Sequence, residues 1–102
     1  RETFAGGSFV GKDFSGCIAR GTSFVGANLR GARFFKADLR EADFGKADLR
    51  AASLEGTGLR DANLADARLE EAYLSESILD VGSIAGADMT DALFPGFLLP
   101  KL

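Results

Sequence analysis

The sequence predicts an all-β fold, a solenoid wound from five-residue units around an apolar axis. Three observations predict it. A large apolar residue recurs every five positions from Phe4 to Leu99, with Ala19 the exception among twenty such centres. A small residue stands two places before most centres, as in Ala37-Asp38-Leu39 and Ala62-Asn63-Leu64. Nine of the 13 glycines stand two places after a centre.

Each part of the unit follows from that spacing. On a straight helix, five steps turn the chain by about 140° net, so successive centres would point all around the cylinder. On a straight strand, five steps end on the opposite face. Neither buries one side. The apolar spacing instead alternates two and three. The two-residue step fits a short extended piece with both ends inward and its middle residue outward. The three-residue step needs a corner. In a four-residue turn from one centre to the next small residue, the slot two after the centre needs the positive φ of a type II turn, which glycine adopts freely. Phe94-Pro95-Gly96-Phe97 adds proline at its preferred place in such a turn. Where Lys36, Lys46, Asp66, Glu71 or Glu76 takes the glycine slot, a type I or distorted corner is expected.

The segments Ala27-Asn28-Leu29, Ala37-Asp38-Leu39, Ala42-Asp43-Phe44, Ala47-Asp48-Leu49, Ala62-Asn63-Leu64 and Ala87-Asp88-Met89 resemble the A(D/N)LXX motif of the pentapeptide-repeat family. The register covers about residues 2 to 99. The resemblance implies a right-handed quadrilateral β-helix with four repeats per coil, hence about five coils in a single domain over residues 1–102. At about 4.8 Å per layer the rod would be about 24 Å long. Residues twenty apart would then stack. Phe4, Phe24, Phe44, Leu64 and Ile84 would line one wall, and Phe14, Phe34, Leu54, Leu74 and Phe94 the opposite one.

Two segments depart from the pattern. In Cys17-Ile18-Ala19 the large residue comes one place early, marking a distorted corner or a covered face. Cys17 takes the small inward place, where a buried thiol behaves as a small apolar residue. Residues 94–102 put Phe97 and Leu98 where small and polar residues belong. A solenoid end exposes its axis and strand edges, so Phe97, Leu98, Leu99 and Leu102 read as a C-terminal cap or a dimer interface. The N-terminus offers no comparable plug. The chain starts at Arg1, as expected of a processed or trimmed protein.

Charge is unevenly spread. Residues 1–60 hold ten basic and seven acidic groups, and residues 61–102 hold two and eight. Arg20, Arg40 and Arg60 should form one ladder, with Arg30 and Arg50 opposite, and Glu41 and Asp61 available to pair with them. Asp61, Asp66, Glu71 and Glu76 take the corner slot on all four sides of one coil, either as a docking belt for a basic partner or as a solvated rim. Phe35 and Tyr73 are the aromatics expected to face outward on one side, two coils apart, and are candidates for a contact surface.

These patterns bear on function. The chain has no His, so the usual general base and the commonest metal ligand are missing. One Cys builds neither an internal disulfide nor a thiolate zinc site. The glycines are corner residues at a fixed phase, not a phosphate loop. No catalytic, cofactor or metal site is expected. The net charge of -3 argues against nucleic acid as partner, and no apolar run reaches membrane-span length. The leading expectation is a non-enzymatic protein-interaction or scaffold module, a monomer or a dimer through the C-terminal end. The resemblance extends to small family members of cyanobacteria and the chloroplast thylakoid lumen. Two alternatives stand beside it: a topoisomerase-binding DNA mimic, as in the family's quinolone-resistance proteins, and a spacer within a larger protein.

Overall fold

The structure, a computed structural model, describes residues 3–74. Eleven parallel β-bridges run through it, and every one joins residues twenty apart, from Thr3↔Ser23 to Ser53↔Tyr73. Four five-residue units therefore make one turn. Coil 1 spans residues 3–22, coil 2 residues 23–42 and coil 3 residues 43–62, and residues 63–74 begin a fourth. The bridged residue is always the outward one between the small residue and the centre, as the two-residue step requires. Bridges stack into four faces: 3, 23, 43 and 63; 8, 28, 48 and 68; 13, 33, 53 and 73; and 18, 38 and 58.

The backbone is paired between layers in a fixed pattern. Phe24 N–H donates to Asp43 C=O at 2.7 Å, Leu39 N–H to Gly58 C=O at 2.8 Å and Asn28 N–H to Gly7 C=O at 2.8 Å. Each corner is closed by a bond from three residues after a centre back to it, as in Ala27 N–H to Phe24 C=O at 3.0 Å.

The corner slot has positive φ at every described position, glycine or not. Gly16 has φ 73° and Gly56 φ 65°. Lys36 (φ 55°), Lys46 (60°), Asp66 (59°) and Glu71 (62°) share the conformation, as do Glu41, Ala51 and Asp61. The expectation of type I or distorted corners at Lys36, Lys46, Asp66 and Glu71 is therefore wrong. Positive φ at the third residue alone, with the closing bond, is the type II turn. The reason lies in the turn's central peptide. At Phe35–Lys36 its C=O accepts from Gly16 N–H at 2.9 Å, and its N–H donates to Glu55 C=O at 2.9 Å. A type I turn flips that peptide and breaks both inter-coil bonds. Two lost bonds at about 0.5–1.5 kcal/mol each, plus two stranded polar groups, outweigh the roughly 1–2 kcal/mol of left-handed backbone.

Inside, the centres and small residues form one continuous core. Leu29, Phe34, Leu39, Phe44, Leu49, Leu54, Leu59, Leu64, Leu69 and Leu74 are fully buried. The phenylalanine walls stack as the twenty-residue register requires: Phe4 on Phe24 at 5.3 Å, Phe24 on Phe44 at 4.9 Å and Phe14 on Phe34 at 5.0 Å. Across the axis they meet edge to face, with Phe34 at 5.9 Å from Phe24 and 6.0 Å from Phe44. Thr22 and Thr57 are buried polar residues among the described coils, and the Thr57 hydroxyl donates to Phe34 C=O at 2.7 Å.

Coil 1 is less sealed. Phe4, Phe9 and Phe14 are half-buried. Phe9 stands in a column that continues as Leu29, Leu49 and Leu69. Its ring occupies the space a side chain on Gly7 would need: a Cβ there would lie 2.7 Å from the ring. Gly7 and Phe9 together thus fill part of the axis of coil 1. The segment around Ile18 is not distorted. Ile18 takes the regular outward place bridged to Asp38, and its side chain is 82% exposed, while Ala19 occupies the inward centre.

Candidate interaction surfaces

With centres and small residues committed to the core, three positions per unit face outward, and any function of the described residues is carried there. Phe35 and Tyr73 are 45% and 42% exposed, as expected. Tyr73 ends the face of Asp13, Arg33 and Ser53, and Phe35 stands at the adjoining corner two residues beyond Arg33. Two layers of about 4.8 Å separate their coils. Lys36 Nζ lies 5.3 Å from the centre of the Phe35 ring, a cation–π contact.

Asp61, Asp66 and Glu71 occupy successive corner slots and are all exposed. The fourth member of that set, Glu76, lies outside the described residues, as do Phe97, Leu98, Leu99 and Leu102.

The arginines pair differently from the sequence expectation. Arg40 turns back to Asp38, with Nε at 2.9 Å from Oδ1 and NH2 at 2.8 Å from Oδ2, and does not pair with its neighbour Glu41. Arg50 grips Asp48 in the same way, at 2.8 and 2.6 Å. Both are Asp–Leu–Arg triplets in which two outward side chains close over a buried leucine. Geometry explains the choice, because the residues on either side of a centre both project outward. Glu41, in contrast, lies 3.8 Å from Arg20 of the coil below. Arg68 and Glu70 repeat the motif with charges reversed, at 2.7 Å.

Electrostatics follow these pairs. The hydrogen bonds from Arg40 hold the Asp38 carboxyl down at about 2. Arg50 lowers Asp48 in the same sense, and bonding to Ser15 lowers Asp13. Burial pushes the Cys17 thiol up, so the half-buried sulfur is held as a neutral thiol.

Two of the shallow depressions on the outside lie against corner residues. One, of about 510 Å³, runs along a corner past Val10, Arg30, Arg50 and Glu70 over small residues Gly31 and Ala51. The other, of about 270 Å³, lies beside Val25, Asp43 and Lys46. Neither converges nucleophile and base, and among the described residues no group of three or more Cys, Asp and Glu is placed to hold a metal ion. No helix among them is long and apolar enough to cross a membrane.

Sequence reasoning passed over two residues. Val10 is 61% exposed beside the larger depression. Lys12 stands in the small inward column, at the phase of Ala32 and Ala52, yet is exposed. The five-residue phase alone singles it out.

Comparison with known proteins agrees with this architecture. The family model described as pentapeptide repeats matches eight copies, over residues 3–34, 36–57 and 57–96. No curated protein matches the chain. Solved structures similar to the chain include three pentapeptide repeat proteins. A pentapeptide repeat protein from the Arabidopsis thaliana thylakoid lumen is 34% identical, with a TM-score of 0.55 over 86% of this chain and 68% of that one. HetL, a pentapeptide repeat protein involved in heterocyst differentiation regulation in the cyanobacterium Nostoc, is 23% identical, with a TM-score of 0.59 over 97% of this chain and 54% of its own. Rfr23 from the cyanobacterium Cyanothece is 26% identical, with a TM-score of 0.51 over 87% and 60%. The chain thus spans between about half and two thirds of the length of these proteins.

Proposed function

The chain belongs to the pentapeptide-repeat family, and from that premise we propose that it is a non-enzymatic protein-interaction module whose contact surface is built around Phe35 and Tyr73. The observation that carries this reading is their exposure, 45% and 42%, on a backbone locked by inter-coil hydrogen bonds. Rigid aromatics lose little conformational freedom on binding, and they anchor many interfaces. The acidic corners Asp61, Asp66, Glu71 and Glu76 would flank that surface and favour a partner with basic groups. Consistent with the family, we take the helix as right-handed, with about five coils over residues 1–102. Residues Phe97, Leu98, Leu99 and Leu102 would then close the C-terminal end or dimerise there. The thylakoid-lumen and cyanobacterial relatives suggest the same kinds of source and compartment for this protein.

A topoisomerase-binding DNA mimic would need an extended acidic side. The described coils instead pair arginine with acid at Asp38–Arg40, Asp48–Arg50 and Arg68–Glu70, and residues 1–60 carry more base than acid. Inhibition of gyrase supercoiling would revive that alternative.

The test is affinity capture from the source organism with three baits: wild type, Phe35→Ala/Tyr73→Ala, and a variant with the four acidic corners neutralised. A partner held by wild type and lost with the aromatic pair supports the proposal. Retention by all three baits would refute it. Light scattering on full chain and on Leu98→Asp/Leu102→Asp decides between cap and dimer at the other end.

A further inference from the structure

Resting on the reading of the Phe35 and Tyr73 side as a contact surface, we propose that its partner is a second copy of this chain, laid antiparallel against the face of Asp13, Arg33, Ser53 and Tyr73. Charge on this side is segregated by layer. Coil 2 has no acidic residue from Gly26 to Ala37, and Arg30, Arg33 and Lys36 follow one another around the side, all exposed. Two layers on, Glu70 and Glu71 lead to Tyr73, with no basic residue in 69–74. Arg40 and Arg50 each close on the aspartate before their leucine. Arg30 takes the same place after Leu29, but residue 28 is asparagine and carries no charge. No described residue forms an ion pair with Arg30, Arg33, Lys36 or Glu71. Arg30 and Glu71 line one corner depression, with Gly31 and Ala51 below Glu71 in its corner column.

Two layers, about 10 Å, keep these cations from these acids within one copy. A second copy, turned about a two-fold axis that crosses the rod at the level of Ser53, brings them together. The axis exchanges coil 2 with coil 4 and keeps each corner on its own side. Arg30 then faces Glu71 of the second copy, and Arg33 faces its Tyr73 as a cation over a ring. By symmetry each contact is made twice. Ser53, a small residue, lies on the axis. Arg50 lies level with it and is already neutralised by Asp48, while Glu55 stands at the other corner, one layer from Lys36. A purely basic or purely acidic partner would satisfy half of this side, and a second copy satisfies both halves. The side is about 22 Å wide, and four layers of about 4.8 Å give it roughly 400 Å² per partner, half of a standard interface. Association is therefore weak, rests on the charge pairs and falls with salt.

The experiment follows wild type, Arg30→Glu, Glu71→Arg and an equimolar mixture of the two variants by sedimentation up to millimolar protein, with circular dichroism as the folding check. Both positions are exposed, so both variants should fold. Wild type should dimerise at low salt. Each variant alone sets like charges face to face, twice, and should associate about tenfold more weakly. The mixture should return to the wild-type level, because each variant supplies the charge the other lacks. The face is mapped with a short bismaleimide in a Cys17→Ala background: Ser53→Cys should cross-link to its own kind, and Ser23→Cys, on the opposite face, should not. The pairing is overturned by a wild type that stays monomeric, by variants as associated as wild type, by a mixture no better than its components, or by cross-linking through Ser23→Cys in place of Ser53→Cys. A monomer that still captures another protein through Phe35 and Tyr73 would overturn the pairing and leave the interaction reading standing. A monomer that captures nothing through them would sink both.

Discussion

Coil 1 and coils 2 and 3 share one hydrogen-bond pattern but are built from different residues. Every corner slot of coil 1 is glycine, at Gly6, Gly11, Gly16 and Gly21, whereas coils 2 and 3 put Lys36, Glu41, Lys46, Ala51 and Asp61 into the same positive-φ backbone. Coil 1 fills its axis with three half-buried phenylalanines and Ala19, and coil 3 with Phe44 and fully buried leucines. The comparison teaches where the fold's stability resides. A coil with neighbours above and below holds strained corners and a dry core. Coil 1, whose phenylalanines are half-buried, has unstrained corners and aromatic bulk. Stability in such a stack is a sum of layer contacts.

The largest expected break is a carboxylate in the shared core. Leu39→Asp buries an acid among fully covered side chains and should abolish the cooperative melt followed by circular dichroism. Phe9→Asp, at a half-buried place in coil 1, should leave a folded rod with a lowered midpoint. Truncation sharpens the same contrast. Leu49→Ala should cost about 2–5 kcal/mol in denaturant unfolding, and Phe9→Ala distinctly less, because its ring is half-buried. Equal costs would show that coil 1 is as tightly held as coil 3.

Corner exchanges come next. Gly16→Ala meets no atom within 4 Å, so its cost, about 1 kcal/mol, reads the positive φ alone. Ala51→Gly relieves that strain at φ 60° and should stabilise by about 0.5 kcal/mol after the entropy of the freer chain is set against it. If Ala51→Gly destabilises, strained corners are not what distinguishes the middle coils.

The smallest effect is electrostatic. The Asp38 carboxyl, at about 2 in the folded chain, lies below the roughly 3.9 of an unfolded one. Its pairing with Arg40 therefore contributes fully above pH about 4 and is lost as pH falls through about 2. Wild type should lose more melting temperature than Asp38→Asn between those values. Exposure of the pair keeps the difference small.

Much of this was legible in the phase of the sequence. The period of five placed every core residue of the described coils, and the twenty-residue stack predicted which phenylalanines touch. The outward exposure of Phe35 and Tyr73 was legible for the same reason. The corners at Lys36, Lys46, Asp66 and Glu71 were misread because a side chain's aversion to positive φ is local, whereas the two inter-coil bonds of the turn's central peptide belong to residues twenty places away. The Arg40–Asp38 pair was missed because adjacency in sequence favoured Glu41, while adjacency in space follows the outward positions on either side of a leucine. Lys12 escaped notice because it stands where a small residue was expected.

The bridges at a constant separation of twenty, laid over a core that repeats every five, give the molecule two independent clocks. Inserting one five-residue unit leaves every buried position buried. It also rotates all downstream residues by a quarter turn, so Tyr73 would pass from the third face to the fourth and a new set of side chains would meet Phe35. Inserting four units lengthens the rod by one layer and restores the faces. A gene encoding such a chain can thus redraw its surface without disturbing its interior, simply by duplicating fifteen bases of itself.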